Sequence, residues 1–312
     1  MGELAIEMKG VRKGFGRASA GEVLRGVDLA VPAGKTYAFL GRNGAGKTTT
    51  IRMMMGLLRA DAGSLRVNGM DPARDALVIR RSVGYLAEDQ QMWGWMKVGE
   101  ILRFLSPFYP TWNWEKVKEL LEKFALPSGM KIRHMSKGQN VRLGLLLALA
   151  HEPKVMVLDD PVLGLDPIMR KEFLRDVVTH LQGKENGMTV FFSSHLLYEV
   201  EPVADWVGIL DQGRVVCEAE TEKLREEVKQ IVVDGGKWPE LARELGAVCG
   251  ILDVRPDGNR VAAVVRDARK ARAALDGAIE EERGLNLDEI FEAFVAGRRE
   301  PVDGGKVMVG VG

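Results

Sequence analysis
Two carboxylates stand side by side, Asp159 and Asp160, at the end of the apolar run Val155-Met156-Val157-Leu158. A short β-branched run of this kind reads as a buried strand, and open α/β sheets bind their ligands beyond the carboxyl ends of such strands. One carboxylate placed there can hold Mg²⁺ while its neighbour faces a water, the layout that nucleotide hydrolysis requires. A simple turn would also accommodate two aspartates, so the reading needs a phosphate-binding partner. Gly41-Arg42-Asn43-Gly44-Ala45-Gly46-Lys47-Thr48 supplies one, in the form G-x-x-x-x-G-K-[ST]. Its glycines let successive N–H groups turn inward around a phosphate without a Cβ clash. Lys47 brings a point charge to the β/γ oxygens, and the Thr48 hydroxyl is a second candidate ligand for Mg²⁺.

Such a loop works only between a strand and a helix. Thr36-Tyr37-Ala38-Phe39-Leu40 reads as the strand, and Thr48 through Met55 as the helix, its positive end aimed at the phosphates. Leu4 to Val11, Val23 to Val31 and Gly63 to Gly69 read as antiparallel strands. From Val98 to Ala150 the pattern is helical, interrupted by Pro107, Pro110 and Pro127. Inside it, Met135-Ser136-Lys137-Gly138-Gln139 precedes an apolar helix. Ser136 is an N-cap on one reading; on the other, its hydroxyl, the Gly138 amide and the helix dipole form a second phosphate site. Strands return at Val155 and at Thr189 to Ser194, and Val207 to Val216 reads as a hairpin. Beyond Glu218 come a charged helix, a small β/α/β-like segment and a glycine-rich tail, Gly304 to Gly312, expected to fray.

Composition narrows the function classes. The 312 residues suffice for about two domains, and 46% hydrophobic with 28% charged residues is ordinary globular usage. Lys plus Arg equals Asp plus Glu at 44 each, a balance that argues against a nucleic-acid partner, which would favour a basic surface. Cys217 and Cys249 stand far apart, in no metal-ligand spacing and with no disulfide framework, which points to a reducing compartment. No apolar run approaches the ~18 residues that span a bilayer, so a membrane role has to come through a partner.

Taken in order, these residues resemble the ATP-binding subunit of an ABC transporter, over roughly residues 4 to 217. The resemblance is carried by the loop at 41–48, the signature at 135–139, the strand with Asp159, a D-loop at 164–166, and His195 after Ser193-Ser194. It implies an α/β P-loop NTPase: a mixed central sheet, an antiparallel β-subdomain, a helical signature subdomain at about 88–150, and a small α+β C-terminal extension. The ATP-binding domain would occupy 1–217 and the accessory region 218–312. It implies ATP and Mg²⁺ as cofactors, with two subunits sandwiching two ATP molecules. Gly41, Asn43, Gly44, Ala45, Gly46, Lys47, Thr48 and Thr49 would hold the nucleotide, and Thr48 and Asp159 the metal. Ser136, Gly138, Gln139 and Asp166 would complete the second subunit's site. Phe15 would stack on adenine, unless it is an ordinary core residue. His195 would donate to the γ-phosphate and orient the attacking water, against the alternative of a structural histidine.

The same resemblance implies a separate integral membrane permease as partner, and a cytoplasmic location, peripheral on the inner face of the cell membrane. Phe108-Tyr109-Pro110-Thr111-Trp112-Asn113 and Leu287-Asp288-Glu289-Ile290-Phe291 look like the ABC-2-type export group. Two rivals remain. A non-transport ABC ATPase acting on nucleic acid or ribosomes would typically carry two motif sets or long coiled coils, and this chain has neither. A P-loop kinase would not need Ser136 to Gln139 or the D-loop.

Two positions depart from the family pattern. Where the family carries Glu after the metal-binding Asp, this chain has Asp160, one methylene shorter, as the candidate water-polarising carboxylate. Where a Gln is expected after Val83-Gly84-Tyr85-Leu86-Ala87, Glu88 stands, with Gln90 and Gln91 close by; Glu88 is either a catalytic-site residue or part of a solvated acidic loop. Just beyond, Trp93 and Trp95 either pack into the helical subdomain or form a docking surface for the membrane subunit.

Overall fold
Among the described residues three sheets organise the chain, and the six-stranded one sets the site. The computed structural model describes residues 3–16, 21–163, 165–173, 187–195, 201–275 and 277–296. The chain divides into two units, Met1–Thr221 and Glu222–Gly312. The first begins with a three-stranded antiparallel sheet of β1 (Leu4–Gly14), β2 (Glu22–Pro32) and β4 (Ala62–Val67), in the order β2-β1-β4. β3 (Thr36–Leu40), β5 (Val83–Leu86), β6 (Val155–Asp159), β7 (Thr189–Ser194), β8 (Trp206–Asp211) and β9 (Arg214–Glu220) form the six-stranded sheet, in the order β5-β6-β7-β3-β8-β9. Its first five members run parallel and β9 is antiparallel to β8, so the sheet is mixed as expected.

Register explains why this sheet gathers chemistry at one edge. Leu86 lies opposite Leu158, Asp159 opposite Ser193, and Leu40 opposite Ser194. The carboxyl ends of β5, β6, β7 and β3 are therefore level, and the segments leaving them converge. β3, β6 and β7 are buried along their whole length, which accounts for their unbroken apolar pattern. Tyr37 stacks on Phe191 at 5.6 Å, and Phe39 packs beside the same ring at 5.4 Å. Ile6, Met8, Leu24, Val27 and Leu29 of the antiparallel sheet join Tyr37, Phe39 and Phe191 in one core with Ile51 and Met54.

α1 (Lys47–Met54) follows β3 through the glycine-rich loop, starting one residue before the expected Thr48. α2 (Pro72–Ser82) precedes β5; α3 (Val98–Leu105), α4 (Trp114–Lys123) and α5 (Lys137–Leu149) fill the helical stretch, separated where the prolines predict. The β8–β9 connection is a two-residue turn with Gln212 at φ 46° and Gly213 at φ 77°, the left-handed pair whose twist suits a hairpin. α6 (Thr221–Glu227) leads out of this unit.

The second unit is richer than the β/α/β segment expected. β10 (Lys229–Asp234), α7 (Trp238–Val248), β11 (Ile251–Asp257), β12 (Arg260–Val265), α8 (Ala268–Leu275) and β13 (Ile279–Gly284) follow a β-α-β-β-α-β order, and α9 (Leu287–Ala296) closes it. The four strands pair antiparallel in the order β11-β12-β10-β13. Ile231, Val233, Trp238, Leu245, Ala263 and Leu275 form its own core. Among the described residues no helix is long and apolar enough to cross a membrane. The tail at 304–312 lies outside the described residues, as does Gly164 of the D-loop.

Candidate functional site
The loop after β3 has the backbone a phosphate cradle needs. Gly44 sits at φ 81° and Gly46 at φ 112°, both left-handed, where side chains are strained. A Cβ on Gly46 would meet Leu24 Cδ2 at 2.5 Å, and one on Gly41 the Leu210 carbonyl at 2.8 Å. The Ala45 N–H donates to the Arg42 carbonyl at 3.1 Å, closing the turn, and Ala45 is itself buried. Gly46 caps α1 without a side-chain bond, so the first N–H groups of the helix are not consumed by a capping side chain. Asn43 and Gly44 are exposed at the rim, and Thr48 and Thr49 are half-buried at the head of α1.

Lys47 is buried, and its Nζ donates to the Gly41 carbonyl at 2.8 Å. Burial pulls its pKa below the usual lysine value, while the nearby charges of Asp160, Asp159 and Glu88 push the other way. An ammonium held in a turn of its own loop, facing three acids, can re-aim onto phosphate oxygens. Asp159, also buried, has the reverse perturbation: burial raises its carboxyl, while hydrogen bonds from Ser193 and Thr48 hold it down. The Thr48 hydroxyl donates to Asp159 Oδ1 at 3.3 Å, so the two expected metal ligands are neighbours. Beside them Tyr85 has its hydroxyl pushed up to about 12, mainly by burial and further by the charge of Asp159.

Asp160 occupies an unusual backbone position, at φ 45°. The residue is 6% exposed, and both carboxylate oxygens lie 2.9 Å from His195 Nδ1. A carboxylate only accepts, so Nδ1 carries the proton and His195 Nε2 is the nitrogen left to face a ligand. The structure thus brings Lys47, Thr48, Asp159, Asp160 and His195 together at the level ends of β3, β6 and β7. Ser193, not singled out by sequence, links them: its Oγ accepts from the Asp160 N–H at 2.9 Å and donates to Asp159 Oδ1 at 2.9 Å. The sequence offered only a pair of serines closing an apolar run; it is the register that sets Ser193 opposite Asp159.

Other candidates lie elsewhere. Ser136 caps α5 and forms a reciprocal capping box with Gln139, the Ser136 N–H donating to Gln139 Oε1 at 2.9 Å and the Gln139 N–H to Ser136 Oγ at 3.2 Å. Gly138 is buried, with the end of the flexible Met169 side chain packed over it. Asp166 accepts from the Ile168 and Met169 N–H groups at 3.0 Å each, an N-cap. Among the described residues no hydrogen bond joins Ser136, Gly138, Gln139 or Asp166 to the Lys47 loop. Phe15 is 53% exposed, with Lys13 Nζ 5.7 Å from its ring centroid, so the reading of an ordinary core residue is overturned.

Glu88 is exposed and acts on Lys47 and Asp159 through its charge. The Gln90 side chain is turned instead against Gly144 of α5, lining a cleft of about 590 Å³ with Tyr85, Tyr109 and His151. Packing into the helical subdomain is overturned for Trp95 and holds only in part for Trp93. Trp95 is 69% exposed, and Trp93, edge-on to Phe104 at 5.3 Å, is still 48% exposed. Trp93, Phe104 and Phe108 make an open aromatic surface.

The ABC transporter family model matches residues 24–163. The daunorubicin resistance ATP-binding protein DrrA3 of Streptomyces coeruleorubidus is 35% identical, over 93% of this chain and 96% of its own length. The lantibiotic transport ATP-binding protein SrtF of Streptococcus pyogenes is 31% identical, over 71% of this chain and 94% of its own. Among solved structures, the ATP-binding subunit of an ABC transporter superposes with a TM-score of 0.63 at 29% identity, covering 72% of this chain and 92% of that one.

Proposed function
The chain belongs to the ABC transporter ATP-binding subunits and is a nucleotide-binding ATPase, and on that premise we propose how its residues divide the work. The carrying observation is the meeting of Lys47, Thr48, Asp159, Asp160 and His195 at one sheet edge. The glycine-rich loop and Lys47 bind the phosphates of ATP. Thr48 and Asp159 would hold Mg²⁺, a hydroxyl and a carboxylate oxygen being donors that suit this hard cation. When bound, that ion neutralises charge developing on the transferring phosphoryl group. Asp160 polarises the attacking water, and His195 holds Asp160 through Nδ1 while Nε2 faces the γ-phosphate. Phe15 stacks on adenine.

Ser136, Gly138, Gln139 and Asp166 serve the site of a second ATP-binding subunit, because nothing described ties them to their own chain's loop. ATP thereby joins two subunits, and hydrolysis separates them. The exposed aromatics Trp93, Trp95, Phe104 and Phe108, sequence neighbours of the cleft residues Met92, Leu105 and Tyr109, dock a membrane-spanning permease, which would hold the chain on the inner face of the membrane. The names of the relatives, daunorubicin resistance and lantibiotic transport, favour export. The match along 93% of the chain to a daunorubicin resistance ATP-binding protein counts against an ATPase acting on nucleic acid or ribosomes. The test is Mg²⁺-dependent ATP hydrolysis by the full chain co-expressed with its permease. Asp160→Asn lowers turnover by about 100-fold or more; full turnover in that variant would remove Asp160 from the chemistry.

A further inference from the structure
We propose that Ser193 is a positioning residue that sets the metal-facing oxygen of Asp159 and the backbone of Asp160 with a single hydroxyl. The proposal rests on the ATP-hydrolysing reading of this site. Ser193 is fully buried in β7, flanked by β6 and β3, opposite Asp159 on one side and Phe39 on the other. Its one proton has one destination. Asp159 can only accept, so Oγ–H donates to Oδ1 at 2.9 Å; the Asp160 amide can only donate, so it fills the oxygen's lone pair at 2.9 Å. No other arrangement of that proton satisfies both neighbours.

Two consequences follow from the direction of these bonds. Asp159 Oδ1 takes hydroxyls from Ser193 and Thr48, and among the described residues no hydrogen bond engages Oδ2. Ser193 therefore fixes the rotation of the carboxylate, presenting Oδ2 as the free oxygen for a cation, much as outer partners orient metal-ligating side chains elsewhere. The second bond acts on the backbone. Asp160 sits at φ 45°, a conformation L-residues leave unless something holds them, and its N–H has Ser193 Oγ as described partner. The same hydroxyl thus couples the metal ligand to the carboxylate that His195 grips, and a shift at one is felt at the other.

The experiment compares the wild-type full chain with Ser193→Ala and Ser193→Thr. Three quantities are measured: affinity for ATP in EDTA, affinity for Mn²⁺ in the nucleotide complex by electron paramagnetic resonance, and the kcat and half-saturating Mg²⁺ for hydrolysis. In Ser193→Ala we expect metal-free ATP affinity within about twofold of wild type, because Lys47 and the loop are untouched. The Mn²⁺ dissociation constant and half-saturating Mg²⁺ rise by about tenfold, the usual cost of losing an outer partner, and kcat falls by a similar factor. Ser193→Thr keeps the hydroxyl and restores the metal affinity. Wild-type Mn²⁺ affinity in Ser193→Ala overturns the proposal, and so does an equal loss of metal-free ATP affinity, which would mark a general structural defect. Absence of hydrolysis in the wild type would instead overturn the reading of the site as an ATPase.

Discussion

His151 gives the chain a pH-dependent weakness that can be worked out from its surroundings. It follows α5 and is 2% exposed, its ring stacked on Tyr109 at 4.4 Å and 16°. Its carbonyl accepts from the Thr111 hydroxyl at 2.7 Å, but its Nδ1 has no hydrogen-bond partner. Burial without a counter-charge pulls the ring from the ordinary 6.5 down to about 4. The folded state therefore prefers the neutral ring, and the unfolded chain takes up a proton first as pH falls. Stability tied to this group is complete above pH 6.5 and is lost as pH falls from 6.5 towards about 4. At pH 5 the unfolded ring is almost wholly protonated and the folded ring about one-tenth so, a difference of about 2 kcal/mol. For a unit the size of residues 1–221 that is a melting shift of roughly 4–8 °C. His151→Phe keeps an aromatic ring against Tyr109 and removes the titration. Between pH 7.5 and pH 5 the melting temperature of the wild type should fall relative to that of His151→Phe by the extra amount. Parallel losses across that range would show that His151 is not held neutral by the fold.

Two further substitutions address the loop and the cleft. Gly46→Ala places a Cβ at a φ of 112° and 2.5 Å from Leu24 Cδ2; strain of about 1–3 kcal/mol at the head of α1 should weaken ATP binding by up to ~100-fold in equilibrium dialysis, with an unchanged circular dichroism spectrum. Wild-type affinity there would mean that the loop does not need the left-handed turn. Gly144→Ala drives a methyl into the Gln90 carboxamide, which is free to swing away because it is the end of a flexible side chain. Basal ATP hydrolysis should stay within about twofold of wild type while stimulation by the permease drops several-fold, and unaltered stimulation would remove Gln90 from the path between the two subunits.

The strands were legible because burial on both faces writes a continuous apolar run: Thr36–Leu40 and Thr189–Ser194 have the bounds their sequences announce. The glycine-rich loop was legible because each glycine answers a steric demand that no other residue meets. What sequence could not supply is the third dimension of small polar residues. Ser193 looks like any strand-end serine until the register sets it opposite Asp159. Gln90 stands near the expected position, yet a missing Cβ at Gly144, more than fifty residues away, decides where its side chain goes. Trp95 illustrates a different limit: apolar character alone does not say whether a ring meets the core or the solvent, and at 69% exposure it meets solvent. The second unit was under-read because its outer strands are charged. Ile279-Glu280-Glu281-Glu282-Arg283-Gly284 forms β13, an edge strand paired to β10 on one side, and an edge tolerates the charge that a central strand would not.

Asp160 is the place where sequence comparison and backbone geometry bear on each other. Set against a family glutamate it looks truncated, and a side chain one methylene short is an obvious source of slow chemistry. The backbone changes that view. Aspartate and asparagine are several-fold enriched among the non-glycine residues that accept left-handed φ, and position 160 is left-handed at 45°. With the main chain turned that way and its N–H held by Ser193, the short side chain already brings both oxygens to 2.9 Å from His195. A longer carboxylate attached at the same point would overreach the ring or require the turn to relax. The loss of a methylene and the left-handed backbone therefore compensate one another, and the aspartate is fitted to the site that Ser193 and His195 hold around it.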